Sequence, residues 1–256
     1  MTDSTQQHIN LTRFPDVSNS NEDGLLAMGG DLDLHTLVSA YSQGIFPWFN
    51  DDQPILWWSP DPRMVLFPNE VKVSRSLRKT INNKPFKVTC NRAFDQVIDA
   101  CALRGKKSGK KSGKKNEEKS DQQNPLPAED TWITDDMQSA YQQLHEHGYA
   151  HSIEVWLDKE LVGGLYGVCL GKVFFGESMF SRVSNASKVA FVSLAQSLEA
   201  LGFNVIDCQV SSDHLLSLGA REIPRGEFLS YLSDIDIQKP NLNFENGISQ
   251  AQARML

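Results

Sequence analysis

The stretch VFFGESMFSRVSNASKVAFVSLAQSLEALGFNVIDCQV (173–210) has the pattern of a strand, a loop, a helix and a second strand. Alternate side chains of a strand share a face. The spacing therefore places Asp207 with Gln209 on the second strand, and Glu177 with Met179 on the first. Acids and amides among apolar neighbours are costly to bury unless they are paired or used, which predicts a ligand pocket with apolar walls. Surface or helix-capping acids are the other interpretation of this spacing.

The residues before this stretch extend it into a sheet. From residue 151 the pattern has a period of two, and turns at Asp158-Lys159 and Leu170-Gly171 separate three segments. This is typical of an antiparallel meander. The segment 188–202 is apolar nearly all round, so we expect a deeply packed helix, followed by a strand over 203–210. We predict an α+β protein with a mostly antiparallel sheet.

Composition and charge restrict the possible partners. The 256 residues fit one large or two small domains, and the net charge is −7. No apolar run is long enough to span a bilayer, the first residues lack a signal peptide's apolar core, and the four cysteines show no paired spacing. We therefore expect a reduced, cytoplasmic protein with no membrane partner.

A lysine-rich segment over 104–130 repeats a Lys-Lys-Ser-Gly unit and is predicted to be a disordered insertion. Its first sixteen residues carry +6, so the rest of the chain carries −13. Any nucleic-acid contact must then be a local basic patch.

Two N-terminal features could form such a contact. The aromatic, proline-rich stretch 45–68 includes Trp48, which is expected either to fill the core or to stack on a base. Ser74 can cap a helix whose Arg75, Arg78 and Lys79 lie on one side. That side is either an ordinary solvated face or a phosphate-contact surface.

Three histidines lie near the end of a helix that Thr134 is expected to cap. His145, His147 and His151 are better explained as complements to the helix dipole than as metal ligands. We predict no metal site.

Long, unusual strings are spread from about residue 13 to 235. They are GLLAMGGDL (24–32), YSQGIFPWF (41–49), ILWWSPDPR (55–63), TWIT (131–134), HSIEVW (151–156), ELVGGLYGV (160–168), FGESMFSRVSNASK (175–188) and IDCQV with DHLLSLGAREIPR (206–225). In these strings the chain resembles the leucyl/phenylalanyl-tRNA–protein transferase family.

The resemblance implies an activity and a fold. The activity is transfer of leucine or phenylalanine, less often methionine, from leucyl-tRNA or phenylalanyl-tRNA to proteins with N-terminal arginine or lysine, in the bacterial N-end rule pathway. The fold is a small N-terminal α/β domain over 1–70 and a catalytic domain over 71–235 that resembles GCN5-related N-acetyltransferases. A tail over 236–256 follows, and no cofactor is implied.

The loop before the apolar helix bears on coenzyme A. Related folds grip coenzyme A with a glycine-rich turn there, but SRVSNASK (181–188) lacks the two glycines that let backbone approach a pyrophosphate. We therefore predict no coenzyme A. The resemblance places tRNA contact on Arg75, Arg78 and Lys79 together with Lys84, although asparagines at 82 and 83 stand where more positive charge is expected.

By the same resemblance, Asp207 and Gln209 lie at the reacting centre. Gln209 would hold and polarise the attacking amine, and Asp207 would support it or accept its proton. In the alternative, Asp207 and Glu177 bind the acceptor's cationic side chain and the tRNA helps to move the proton. Aminolysis of an ester requires alignment but neither a metal nor a covalent intermediate.

The family's apolar pocket also maps onto this chain, with plain core packing as the competing interpretation. The matching residues are Leu165, Phe174, Met179, Phe191, Leu198 and Ile206, with Trp48 and Trp132 matching tryptophans that flank the terminal adenosine or the substrate. Two other functions stay open: an acyl-coenzyme A-dependent N-acyltransferase, and a tRNA-binding adaptor without catalysis.

Overall fold

The computed structural model describes residues 8–107, 133–240 and 244–248, without the side chains of 104–107. Strands and helices alternate irregularly along the chain. The helices are α1 (Leu34–Ser42), α2 (Arg75–Asn83), α3 (Phe94–Lys107), α4 (Asp135–Glu146), α5 (Ala186–Ala200), α6 (Asp213–Ser217) and α7 (Arg225–Ser230). The strands are β1 (Leu25–Met28), β2 (Phe46–Pro47), β3 (Leu56–Trp58), β4 (Arg63–Leu66), β5 (Lys87–Cys90), β6 (Ala150–Leu157), β7 (Glu160–Leu170), β8 (Val173–Ser181), β9 (Val205–Gln209) and β10 (Arg221–Ile223). The predicted α+β class is confirmed.

Three helices begin at a capping side chain, and two of these, Ser74 and Thr134, are the predicted caps. Side-chain oxygens of Asp33, Ser74 and Thr134 accept hydrogen bonds from the backbone N–H three residues on, at the starts of α1, α2 and α4. Each cap satisfies an N–H that has no partner within the helix. Helix α3 runs to Lys107, so the first four residues of the predicted insertion are helical; residues 108–132 lie outside the described part.

The described residues form two sheets. Strands β1, β3 and β2 form a small antiparallel sheet, and the large sheet has the order β10-β4-β9-β8-β7-β6-β5. Its pairs are antiparallel except β8 with β9, which are parallel. Asp158 and Lys159 have φ of 49° and 69°, which gives the predicted two-residue hairpin between β6 and β7.

Strand β4 lies before residue 70, where the sequence predicted a domain boundary, yet it pairs with β9 and β10 in the large sheet. Division of the chain at residue 70 would therefore separate strands of one sheet. The small sheet also shares a hydrophobic cluster with α1, α3 and α4. The domain division stays a prediction.

Two hydrophobic clusters cover opposite faces of the large sheet. The first cluster contains core residues of α1, α3 and α4, and the second contains those of α5. Along β9 the assignment alternates: Val205 belongs to the first cluster, and Ile206 and Cys208 to the second. Nine residues of α5 are buried, as its all-round apolar pattern predicted. A Cβ at Gly163 of β7 would lie 2.5 Å from the Cβ of Ala186, so a glycine permits this close approach.

Candidate active site

Asp207 is bound to a buried arginine. Arg63 Nε donates to Asp207 Oδ1 at 2.8 Å and Nη2 donates to Oδ2 at 2.7 Å, and neither side chain is exposed. Strand β4 carries Arg63 beside β9, where Val65 lies opposite Asp207. The backbone N–H of Gln209 also donates to Oδ1, at 2.9 Å. Three donors therefore hold the carboxylate in one orientation.

Aromatic rings enclose the guanidinium of Arg63. Its central carbon lies 4.8 Å from the ring centroids of both Phe46 and Phe228, which places the charge against two π faces. Nη1 is buried and has no hydrogen-bond partner within the described ranges. The Asp207 carboxylate is thus the main compensation for this buried positive charge.

Gln209 links β9 to β8. Its φ of 63° is left-handed, a conformation uncommon for residues other than glycine, and it turns the end of the strand. Gln209 Nε2 donates to Glu177 Oε1 at 3.0 Å. An ionised carboxylate can only accept, so this contact assigns the amide nitrogen to Glu177 and directs the amide oxygen elsewhere.

Glu177 is partly exposed and forms one end of a chain of hydroxyl groups. Tyr141 donates to its Oε2 at 2.8 Å, and the hydroxyls of Tyr41 and Tyr141 are bonded to each other. Burial raises the pKa of Glu177 to about 7, and the charge of Asp207 adds to the rise against the opposing tyrosine and Gln209 hydrogen bonds. Burial, followed by the negative charge of Glu177, raises the pKa of both tyrosines well above 10.

The pairing of β8 with β9 ends beside these groups. The paired residues of β8 and β9 end at Phe175 and Asp207, although β8 continues to Ser181. A Cβ at Gly176 would meet only the carbonyl oxygen of Asp207, at 3.5 Å. The Gln209–Glu177 hydrogen bond spans the two strands beyond the point where their pairing ends.

The predicted shared face of Glu177 and Met179 is wrong. The register between β7 and β8 shifts between Tyr166 and Gly167, which lie opposite Ser178 and Gly176. This irregularity leaves one additional residue on β8, and such a bulge reverses the faces of the residues beyond it. Glu177 accordingly contacts Tyr141 of the first cluster, whereas Met179 packs against the second.

The six predicted pocket residues come together, but on the face opposite Asp207. All belong to, or pack against, the second cluster, and all but Met179 are buried: Leu165, Phe174, Phe191, Leu198 and Ile206. Asp207 bonds Arg63, whose neighbours Phe46 and Phe228 belong to the first cluster. Met179 is partly exposed.

The other predicted residues differ in their exposure. Arg75, Arg78 and Lys79 are exposed on α2, and Lys84 Nζ lies 5.4 Å from the ring centroid of Phe86. Trp48 is partly buried and its ring centroid lies 5.9 Å from that of Trp58. Trp132 lies outside the described residues.

The three histidines have separate contacts. His145 stacks on Phe94 and bonds the carbonyl oxygen of Ala150, and His147 bonds the carbonyl oxygen of Gln143. Burial lowers the pKa of His151 to about 3, so it is neutral. Within the described ranges, no group of three or more His, Cys, Asp or Glu side chains is arranged to hold a metal ion.

Sequence reasoning missed two residues of this centre, Arg63 and Tyr141. The available signal for Arg63 was the need of Asp207, in an apolar strand, for a buried cation. Tyr141 is one of the buried residues of α4. Its hydroxyl required a partner once buried, and Glu177 is that partner.

The family model described as leucyl/phenylalanyl-tRNA protein transferase matches residues 65–113 and 118–233, and the model of that family's N-terminal domain matches residues 30–61. The chain belongs to this family and is an aminoacyltransferase.

Curated relatives carry the same description, leucyl/phenylalanyl-tRNA–protein transferase. The protein of Nitrosospira multiformis is 57% identical over 212 residues, which are 83% of each chain. The protein of Syntrophus aciditrophicus is 52% identical over 90% of this chain and 87% of its own. The protein of Pseudomonas aeruginosa is 52% identical over 89% and 92%.

Among the described residues, no helix has the length and apolarity needed to cross a membrane.

Proposed function

We propose that this transferase moves leucine or phenylalanine, and less readily methionine, from the 3′ end of tRNA to the α-amine of proteins that begin with arginine or lysine. One observation carries the proposal: Gln209 is held between Asp207 and Glu177 where β8 and β9 cease to pair. There an amide oxygen can meet an incoming amine.

Gln209 orients the nucleophile. Because its Nε2 donates to Glu177, its Oε1 is left to accept a hydrogen bond from the attacking amine. The nitrogen lone pair then points at the ester carbonyl. Holding the two reactants in attack geometry can contribute about 7–11 kcal/mol in favourable cases.

Asp207 positions Gln209 and does not accept the proton. Protonation of Asp207 would leave the Arg63 guanidinium buried without its counter-charge, which is strongly unfavourable. The carboxylate instead fixes the backbone of Gln209 through its N–H. Of the roles that the sequence left open for Asp207, we propose the support of Gln209.

Glu177 accepts the proton. A free α-ammonium has a pKa of about 8, and the pKa of Glu177 is about 7. At neutral pH a fraction of the amine is therefore already neutral, and about half of Glu177 is ionised and able to accept a proton. The neutral amine attacks the ester carbonyl and the new C–N bond forms. Glu177 takes one proton from that nitrogen and passes it to the ribose oxygen, which leaves as a hydroxyl when the ester C–O bond breaks.

The side chain of the transferred residue meets the second cluster at Met179. Met179 is the partly exposed member of the predicted pocket set and packs against the other members. We assign it the direct contact, while the buried residues behind it define the shape of the site. Trp48 and Trp132 stay proposed as flanking contacts.

The donor is tRNA and not coenzyme A. The N–H of Ser187, at the start of α5, already donates to Ser181 Oγ at 3.2 Å, so a pyrophosphate would have to displace that bond. The exposed Arg75, Arg78 and Lys79, with Lys84, are proposed to contact tRNA phosphates. The sheet order, with one parallel pair beside α5, supports a GCN5-related N-acetyltransferase-like catalytic domain.

No cofactor, metal or membrane takes part in this proposal, and the protein acts in the cytoplasm, in N-end rule degradation. The test is incubation of purified protein with leucyl-tRNA and a peptide that begins with arginine. A mass increase of one leucine residue is expected on the peptide. Binding of tRNA without transfer would favour the adaptor, and acetylation from acetyl-coenzyme A would favour the other acyltransferase.

A further inference from the structure

A cavity of about 660 Å³ lies at the edge of the large sheet, away from the Gln209–Glu177 centre. Strand β5 is the last strand of that sheet, and the hairpin between β6 and β7 closes the other side of the cavity. We call it the edge cavity. It is lined by Pro85, Lys87, Val88, Thr89, Cys90, Arg92, Trp156, Asp158, Lys159 and Glu245.

A fixed tryptophan forms one wall of the edge cavity. Trp156 is partly exposed, and its Nε1 donates to Thr89 Oγ1 at 2.7 Å. Thr89 in turn donates to Glu154, a carboxylate with no exposed surface. Ser152 Oγ also donates to Glu154, and the N–H of Arg92 does so at 3.4 Å. The ring orientation is therefore set by a satisfied buried network.

The rim of the edge cavity is basic in a protein that is otherwise acidic. Lys87, Arg92 and Lys159 are exposed around it, and Asp158 and Glu245 are the acids. Arg92 lies 3.3 Å from Glu245, but the two side chains are 68% and 43% exposed. An exposed pair of this kind contributes little, so an incoming anion can compete for Arg92.

The edge cavity adjoins α2 along the chain, and its strand β5 belongs to the same sheet as β8, which carries Glu177. Lys84 ends α2 and is followed by Pro85 of the cavity wall, so basic residues continue from α2 to the sheet edge. Strand β5 is three strands from β8, or about 14 Å at the usual strand spacing. That separation suits nucleotides that precede the esterified one.

We propose that the edge cavity binds an unpaired nucleotide of the aminoacyl-tRNA acceptor end, with its base on Trp156 and its phosphates on Lys87 and Lys159. An aromatic face beside cations is how single-stranded nucleic acid is bound without strict sequence preference. Asparagines at 82 and 83 leave α2 with less positive charge than expected, and Lys87 and Lys159 supply positive charge further along the chain. This inference rests on the proposed function.

The test uses Trp156→Leu and the double variant Lys87→Ser/Lys159→Ser. Direct binding should show the Kd for phenylalanyl-tRNA rising about five- to a hundredfold for Trp156→Leu. For the double variant, the slope of log Kd against log salt should fall by about 1.4, because two phosphate contacts are lost. Transfer from 3′-O-phenylalanyl-adenosine, which lacks those nucleotides, should stay within threefold of wild type.

Matched controls separate these contacts from general effects. Trp156→Phe keeps a stacking face and should hold the tRNA Kd within about threefold. Lys239→Ser removes the same charge from a residue paired with Asp236, outside the edge cavity, and should leave the salt slope of binding unchanged. Thermal unfolding of each variant checks that the fold is retained.

Unchanged tRNA affinity in both edge-cavity variants would overturn the inference. A raised KM for the acceptor peptide with unchanged tRNA affinity would also overturn it, because the edge cavity would then contact the acceptor protein. If wild-type protein binds tRNA but transfers nothing, the proposed function fails while the binding comparison still decides the inference. Absence of tRNA binding by wild-type protein contradicts both.

Discussion

Arg63 and Asp207 form a two-point ion pair between adjacent strands, with Nε–Oδ1 and Nη2–Oδ2 distances of 2.8 and 2.7 Å and no exposed surface on either side chain. The pair connects residues 144 positions apart in the chain. It determines what Asp207 can do, because a carboxylate held in this way stabilises its surroundings and orients Gln209. A group other than Asp207 must therefore accept the proton of the attacking amine.

The buried ion pair predicts that each single variant loses more stability than the double variant. Arg63→Met or Asp207→Leu alone should lower the free energy of unfolding by about 3–5 kcal/mol, because each leaves one buried charge without its partner. The double variant Arg63→Met/Asp207→Leu should recover part of that loss. Urea unfolding measures all three. A decrease of less than about 1 kcal/mol in the free energy of unfolding of the single variants would contradict a buried, fully paired arginine and aspartate.

Glu177 predicts a steep pH dependence of transfer. The reaction needs a neutral amine with a pKa of about 8 and an ionised Glu177 with a pKa of about 7. Below pH 7 both fractions fall, so log(kcat/KM) should approach a slope of 2 against pH. Glu177→Gln should lower the rate about a hundredfold or more and leave a slope of 1. A wild-type slope of 1 down to pH 5.5 would exclude Glu177 as the proton acceptor.

Replacement of Tyr141 is predicted to shift the part of the pH–rate profile that Glu177 determines, called the Glu177 limb below. Its hydroxyl stabilises the ionised form of Glu177, so it holds the pKa lower than burial alone would. Tyr141→Phe removes this hydrogen bond and should move the Glu177 limb to higher pH by about one unit. The limb is measured from the same rate profiles. Tyr166→Phe is the matched control, because Tyr166 OH has no hydrogen-bond partner among the described residues, and it should leave the limb in place.

In the second cluster, we expect Leu198 to contribute mainly to stability and Met179 mainly to substrate specificity. Leu198→Ala removes a fully buried side chain and should cost about 2–5 kcal/mol of unfolding free energy. Met179→Ala lies at the partly exposed edge and should cost less. It should instead change the ratio of kcat/KM for phenylalanyl-tRNA over leucyl-tRNA, by up to about a hundredfold. An unchanged ratio would remove Met179 from the substrate contact.

Much of the fold could be predicted from local pattern. The caps at Ser74 and Thr134 and the turn at Asp158-Lys159 depend on a few neighbouring residues, and all appear as expected. The buried helix α5 follows from its composition, with bounds shifted two residues toward the N-terminus. These features need no information from distant parts of the chain.

The parts that could not be predicted depend on contacts between distant segments. The aromatic, proline-rich stretch 45–68 offered no pattern that predicts a pairing partner, so the position of β4 beside β9 was not expected. The bulge in β8 is a one-residue irregularity that alternation cannot reveal. It placed Glu177 and Met179 on opposite faces and so separated the acidic centre from most of the predicted pocket.

The most direct test is the single-turnover rate of Gln209→Met, measured with saturating phenylalanyl-tRNA and an acceptor peptide that begins with arginine. Methionine keeps the side-chain length but cannot accept a hydrogen bond from the amine with an amide oxygen. The rate of the variant should be reduced at least about a hundredfold, with tRNA affinity and melting temperature close to those of wild type. A rate within threefold of wild type would contradict the assignment of Gln209 to the attacking amine.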